Sequence, residues 1–188
     1  MALKLNVITV STRPGRIGPT VAAWAVDKAR AHGAFAVEAV DLESFNLPVF
    51  DEPKHPRFRD YQHAHTRAWS ESVAAADAFV FVSPEYNYFA PPSLVNAIDY
   101  LFHEWTYKVA GLVTYGGPLA GARAAQMEKL LLTSVKVMTI PEGVSVPLVA
   151  THIREGRFEP PEFLEPSMTA MLDELAKWAA ALKPMRTS

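Results

Sequence analysis

The 188-residue sequence contains no cysteine. Disulfides, thiolate metal sites and cysteine nucleophiles are excluded with it. Excess charge of either sign is also missing: 18 Lys and Arg stand against 20 Asp and Glu, a net charge of −2. With no basic stripe, nucleic acid is not an expected partner. Long hydrophobic runs are absent too. The apolar opening (MALKLNVITV) is cut off by Ser11-Thr12-Arg13. It is too short to span a membrane and carries no small-residue cleavage site. The expectation is a cytoplasmic protein without a membrane partner. Repeats, low-complexity tracts and linkers are also lacking, so residues 1–188 read as one domain. What is present is an ordinary globular composition, 49% hydrophobic and 20% charged, which is wrong for a disordered chain.

Along the chain, strand and helix patterns alternate. Leu5 to Val10 reads as a first strand, and Ile17 to His32 as a helix stopped by Gly33. Ala36 to Leu42 is a second strand. Three prolines make Glu43 to Arg59 a loop, and Asp60 to Ala75 follows as a helix. Ala78 to Val82 (AFVFV) is a continuous apolar run, as in a strand covered on both faces. Ser93 to His103, Leu119 to Thr133 and Pro166 to Leu182 read as helices, Val109 to Tyr115 and Val135 to Ile140 as strands. Pro141 to Pro161 is irregular, with short strand character at Val144 to Val149. Five strands alternating with five helices predict a parallel sheet with helices on both faces. Such sheets bind ligands beyond the carboxyl ends of their strands. That rule points to the loops after Val10, Val82 and Thr114.

The first of these, Ser11-Thr12-Arg13-Pro14-Gly15-Arg16-Ile17-Gly18, joins a strand to a helix start, where backbone N–H groups and the helix dipole favour an anion. Two hydroxyls and two guanidiniums add donors. It fits neither GxxxxGK[ST] nor GxGxxG. Taken alone it is either a phosphate site or a solvated turn. The second, Ser83-Pro84-Glu85-Tyr86-Asn87-Tyr88-Phe89-Ala90-Pro91-Pro92, offers a flat aromatic wall and an amide that both donates and accepts. Aromatics there can equally cover the core or a subunit contact. The third, Tyr115-Gly116-Gly117-Pro118-Leu119-Ala120-Gly121, allows close backbone approach.

Together with Asn96-Ala97-Ile98-Asp99, these loops resemble the NADPH-dependent FMN reductase family, which includes quinone, chromate and azo-dye reductases. The resemblance runs from Leu5 to about Ile140. It implies a flavodoxin-like α/β three-layer sandwich, its parallel strands ordered 2-1-3-4-5. It implies FMN as cofactor, NADPH or NADH as electron donor, and a small-molecule electron acceptor such as a quinone, free flavin, azo compound or metal oxyanion. It implies a homodimer or homotetramer. Ser11, Arg13, Arg16, Ile17 and Gly18 would surround the FMN phosphate. Pro84, Glu85, Tyr86, Asn87 and Tyr88 would line the isoalloxazine and ribityl side, and Tyr115, Gly116 and Gly117 would close the other rim through backbone groups. The pattern departs from the family at Tyr88 and Phe89, at Pro91-Pro92, and at Val95, Val10 and Gly18.

With flavin carrying the chemistry, no catalytic side chain is assigned. Two alternatives stay open: a flavin-binding electron carrier without turnover, and a hydrolase or transferase with Glu85 as nucleophile. A phosphorylated receiver domain is discarded, because the acidic cluster it needs after the first strand is replaced by Ser-Thr-Arg-Pro-Gly. His63 and His65, two residues apart, do not share a helix face, so no metal site is expected. Trp69 and Trp178 are assigned to the core, Trp105 and Tyr107 to a subunit contact near the flavin, and Asp77 to a surface or cap position.

Overall fold

The computed structural model describes residues 2–186. Five strands form one parallel sheet: β1 (Leu3–Thr9), β2 (Phe35–Asp41), β3 (Ala78–Pro84), β4 (Lys108–Tyr115) and β5 (Val137–Val146), in the order β2-β1-β3-β4-β5. This is the order expected. Five helices cover it: α1 (Gly18–His32), α2 (Ala64–Ala75), α3 (Pro92–Asp99), α4 (Ala122–Ser134) and α5 (Leu164–Leu182). All seven residues of the central β3 are buried, which is why Ala78 to Val82 is an unbroken apolar run rather than an alternating one. On one face Leu5, Val7, Val80 and Val82 pack against α1 and α5 through Val21, Ala25, Met171 and Leu175. On the other, Ile8, Phe79 and Phe81 pack against Trp69, Leu94, Ile98 and Leu132.

Several boundaries differ from the sequence reading, each for a local reason. The second helix starts at Ala64 rather than Asp60, because the Glu52 carboxylate accepts the N–H groups of Gln62 (2.8 Å) and His63 (3.1 Å) just ahead of it. The third stops at Asp99 rather than His103. Beyond it the chain turns so that the Trp105 indole can donate to the Ile98 carbonyl at 3.3 Å. Trp105 is thus fully buried against Phe79 and Trp69, a core residue and not a subunit contact. Trp69 is fully buried as expected, and Trp178 is half-buried against the core.

Asp77 is also buried. It accepts from the Lys4 N–H (2.9 Å) and pairs with Lys183 (3.0 Å) and Arg186 (2.9 Å), so it is more than a cap. Residues 137–140 and 144–146 of the two stretches read as separate strands belong to a single strand, β5. Its pairing with β4 slips between Ala110 and Leu112, opposite Thr139 and Gly143. The irregularity falls around Pro141, which has no N–H to give a ladder, and this interruption made one strand read as two. The rest of the irregular segment forms a short hairpin, β6 (Ile153–Arg154) with β7 (Arg157–Phe158). Its Phe158 packs edge-on against Trp24, with ring centroids 5.5 Å apart.

Candidate functional site

The three loops singled out in the sequence meet at the carboxyl edge of β1, β3 and β4. The turn after β1 ends in α1, whose first residues hold the loop close to the sheet. Ser11 is buried, and its hydroxyl lies 2.7 Å from the Tyr86 hydroxyl of the second loop. Tyr115, buried at the end of β4, slides its hydroxyl under α1. A β-carbon at Gly18 would sit 2.6 Å from it. Burial pushes the Tyr115 hydroxyl above the ordinary tyrosine range, so it is neutral throughout. One residue from each loop therefore meets at a single polar junction.

The two arginines of the first loop have different surroundings. Arg16 donates twice to the Asp41 carboxylate, at 2.6 and 2.7 Å, once to the Ser11 carbonyl at 2.6 Å, and to Glu43. It is clamped to the end of β2, and its side chain is only 12% exposed. The Asp41 bonds raise its pKa further. The Arg13 side chain is exposed and, among the described residues, makes no hydrogen bond or ion pair. The backbone N–H groups of Thr12, Arg13, Gly15 and Ile17 likewise have no partner among the described residues, whereas Arg16 N–H turns back to the Arg13 carbonyl at 3.0 Å. Free N–H groups ahead of a helix N-terminus, with a free guanidinium beside them, are the donor set a phosphate dianion requires. The residues present fit an FMN phosphate.

Tyr86 and Phe89 exchange backbone hydrogen bonds of 3.0 and 2.9 Å in the second loop, which closes a two-residue turn. Asn87 and Tyr88 both have positive φ, 51° and 72°, as this mirror-image turn demands. The turn thrusts Tyr88 and Phe89 outward, 62% and 61% exposed. The Arg123 guanidinium covers the Tyr88 ring at 3.9 Å. Pro84 is buried as the last residue of β3. Behind the turn, Glu85 caps α4: its carboxylate accepts from the N–H groups of Arg123 (3.1 Å) and Ala124 (3.4 Å) and from the Arg123 side chain (3.2 Å). A carboxylate engaged by three donors has its lone pairs committed, which disfavours Glu85 as a nucleophile.

The third loop is tied down by its own backbone. The Tyr115 carbonyl accepts from Glu85 N–H, Gly116 donates to the Val146 carbonyl, and the Gly117 carbonyl accepts from Ala120 and Leu148. Gly117 is exposed, and its N–H has no partner among the described residues.

Between these loops lies a hollow of about 550 Å³ lined by Arg13, Glu85, Tyr86, Asn87, Phe89, Ala90 and Pro92. A second, of about 870 Å³, adjoins it through Ala90 and Pro92 and reaches Thr12, Val49 and Asn96. Asn96 explains why its stretch travels with the loops. Its amide accepts from Phe50 N–H (2.9 Å) and donates to the Pro48 carbonyl (2.6 Å), pinning the wall of the larger hollow.

Sequence reasoning missed Thr12, Asp41, Glu43 and Glu128, whereas Arg123 reads in the sequence as either a nicotinamide-phosphate contact or a solvated helix position. Thr12 was visible in its motif. Asp41 stands at the carboxyl end of β2, where the same edge rule could have found it. Glu128 lies well inside α4 and gave no signal. Glu128 is fully buried and accepts from the Ser83 hydroxyl, and burial raises its carboxyl to about 8. The spacing argument against His63 and His65 also fails. His63 precedes α2 in extended backbone, and both rings turn toward Asp51.

A three-layer α/β sheet with an anion cradle after its first strand and an aromatic loop after its third defines a flavodoxin-like nucleotide-binding protein. Residues 3–151 match the family of NADPH-dependent FMN reductases, and the chain belongs to that family. An NAD(P)H-dependent FMN reductase of Schizosaccharomyces pombe is 37% identical over 159 residues, 84% of this chain and 79% of the relative. One from Saccharomyces cerevisiae is 31% identical over 190 residues, 95% and 96% of the two chains. The flavoenzyme FerB of Paracoccus denitrificans, an NAD(P)H:(acceptor) oxidoreductase, superposes with a TM-score of 0.73 at 19% identity, covering 96% of this chain and 98% of its own. The chain is an FMN-dependent NAD(P)H oxidoreductase. Among the described residues no helix is long and apolar enough to cross a membrane.

Proposed function

We propose that FMN binds with its phosphate in the turn after β1 and its ring against the second and third loops. We propose further that donor and acceptor use its open face in turn, in a ping-pong cycle. The observation that carries this reading is the cradle of unpaired N–H groups at Thr12, Arg13, Gly15 and Ile17 beside the free Arg13 guanidinium. Ser11, Gly18 and Tyr115 act beneath the phosphate, by holding the turn at its distance from the sheet. Pro84, Glu85, Tyr86, Asn87 and Tyr88 form the ring side, and Gly116 and Gly117 the far rim. When bound, FMN takes a hydride equivalent from the nicotinamide and passes electrons to the acceptor. The protein's share is orientation and charge. The Gly117 N–H would supply a donor to the reduced ring.

The acceptor is a flat or compact small molecule, a quinone, free flavin, azo compound or metal oxyanion. The exposed Phe89, which lines the smaller hollow, supports an aromatic one, because its ring offers a stacking surface there. Exposed Val95, Leu119 and Leu130 support a homodimer or homotetramer, which light scattering would read.

Anaerobic addition of NADPH to the yellow protein is expected to bleach the visible flavin bands, and quinone to restore them. Parallel lines in double-reciprocal plots would follow from the ping-pong cycle. Intersecting lines would overturn it. The two arginines give a sharper test of the site. Arg13→Ala is expected to weaken FMN binding roughly 10- to 100-fold, the loss of one charge-assisted pair, and to leave the unfolding midpoint of the FMN-free protein unchanged. Arg16→Ala is expected to lower that midpoint, because Asp41 and the Ser11 carbonyl lose their common partner. Lysine at 16 would not restore it, since the fork to Asp41 is bidentate. Fluorescence titration of the apoprotein and urea unfolding separate the two. An Arg13→Ala chain that binds FMN normally would move the phosphate elsewhere.

A further inference from the structure

The loop between β2 and α2 folds back on the start of α2 and brings together three side chains that the flavin site does not use. His63 is the residue before α2, with φ −101° and ψ 145°, and His65 lies in its first turn. Because the backbone is still extended at 63, the two rings stand on the same side. They stack nearly parallel, 9° apart, with centroids 5.1 Å from each other. Both Nε2 atoms face the Asp51 carboxylate, His65 at 3.0 Å from Oδ1 and His63 at 3.8 Å from Oδ2. The three ligand atoms lie within 4.8 Å of one another.

We propose that Asp51, His63 and His65 form a site for a divalent cation of the zinc type. Tetrahedral zinc with bonds of about 2.0–2.2 Å holds its ligands roughly 3.4 Å apart. Each imidazole nitrogen stands close to that distance from one oxygen of the carboxylate, His65 at 3.0 Å from Oδ1 and His63 at 3.8 Å from Oδ2. Two imidazoles and one carboxylate are a nitrogen-rich set that suits zinc and disfavours magnesium or calcium. The fourth position faces water, since His63 and Asp51 remain 40% and 34% exposed. Tyr100, fully buried after α3, donates to Asp51 Oδ1 at 2.8 Å and fixes the carboxylate, as partners behind metal ligands commonly do. The positive end of α2 would oppose a cation. Glu52 answers that charge, because its carboxylate already accepts the Gln62 and His63 N–H groups.

The ion would tie three segments: the loop through Asp51, α2 through the histidines, and α3 through Tyr100. Asn46, Leu47 and Val49 of that loop line the larger hollow beside Thr12, so the clamp would stiffen one wall of it. Without metal the same groups form an ordinary hydrogen-bonded cluster, and titration separates the two roles. The test is calorimetric titration of FMN-loaded, tag-free, chelator-treated protein with zinc chloride, alongside unfolding midpoints with and without zinc. One saturating site per chain is expected. His65→Ala and Asp51→Asn should each bind zinc at least tenfold more weakly, while His152→Ala, at a histidine remote in sequence, should bind it as the native chain does. Zinc should raise the midpoint of the native chain and not of the first two variants. Retained flavin absorption shows that a variant is folded. The absence of a saturable heat would overturn the proposal. So would an unchanged affinity in both His65→Ala and Asp51→Asn, which would place any bound zinc elsewhere.

Discussion

Gly121→Ala is expected to destabilise the protein by on the order of 3 kcal/mol or more, the sum of a left-handed backbone and an overpacked contact. Gly121 closes the third loop and precedes α4 with φ 81°. A β-carbon there would lie 2.8 Å from the Thr114 β-carbon, 3.0 Å from Tyr115 N and 3.1 Å from Tyr115 O. Two of those three atoms are backbone of the buried strand β4 and have nowhere to go. Two neighbouring glycines isolate the causes. Gly15 has φ 72° but nothing within 4 Å of a new β-carbon, so Gly15→Ala should cost only about 1 kcal/mol, the conformational part. Gly117 has open space and no positive φ, so Gly117→Ala should be close to neutral for stability. Urea unfolding of the three FMN-free variants gives the ranking. Function should follow it, since displacing Gly121 moves the start of α4 off the Glu85 carboxylate and the Ala120 carbonyl off the Thr114 hydroxyl, which bonds it at 2.9 Å. If Gly121→Ala costs no more than Gly15→Ala, the close approach to β4 is not what selects glycine.

The same loop shows what was legible in the sequence and what was not. Alternating strand and helix patterns sufficed for the five-stranded sheet, because buried parallel strands need runs such as AFVFV and little else produces them. The edge rule then pointed to three loops, and these meet at one edge of the sheet. Pairing within those loops was out of reach. Arg13 and Arg16 look equivalent in the sequence, yet one is free and the other is clamped by Asp41, which is 25 residues away. Nothing local says that Glu85 will cap a helix starting at Ala122, or that Trp105 will fold back under α3 rather than face a partner. His63 and His65 failed for a different reason. Helical spacing was applied to a residue whose backbone is extended, and where a helix starts is the least certain part of a sequence reading.

Glu128 leads to the other large effect, a stability that falls with rising pH. Its carboxyl is fully buried on α4 against Ser83 at the end of β3, and only one of its two oxygens has a partner. Burial outweighs the Ser83 hydrogen bond and raises its pKa from 4.5 to about 8. The folded chain therefore keeps a proton that the unfolded chain gives up above 4.5. Stability is fully present below that value and is lost as pH rises toward 8, by up to about 1.4 kcal/mol per pH unit, with roughly 5 kcal/mol as a ceiling. Glu128→Gln keeps the shape and removes the proton equilibrium. It should match the native chain near pH 5 and exceed it increasingly up to pH 8. Lys108 acts in the opposite sense. Burial lowers its ammonium to about 7, so above that pH the fold sheds a proton the unfolded chain keeps, and stability rises. Both chains carry Lys108, so the difference between their urea midpoints at each pH cancels its contribution and leaves Glu128 alone. A difference that stays flat from pH 5 to 8 would mean that Glu128 is charged in the fold, and that Oε2 has found a partner in water.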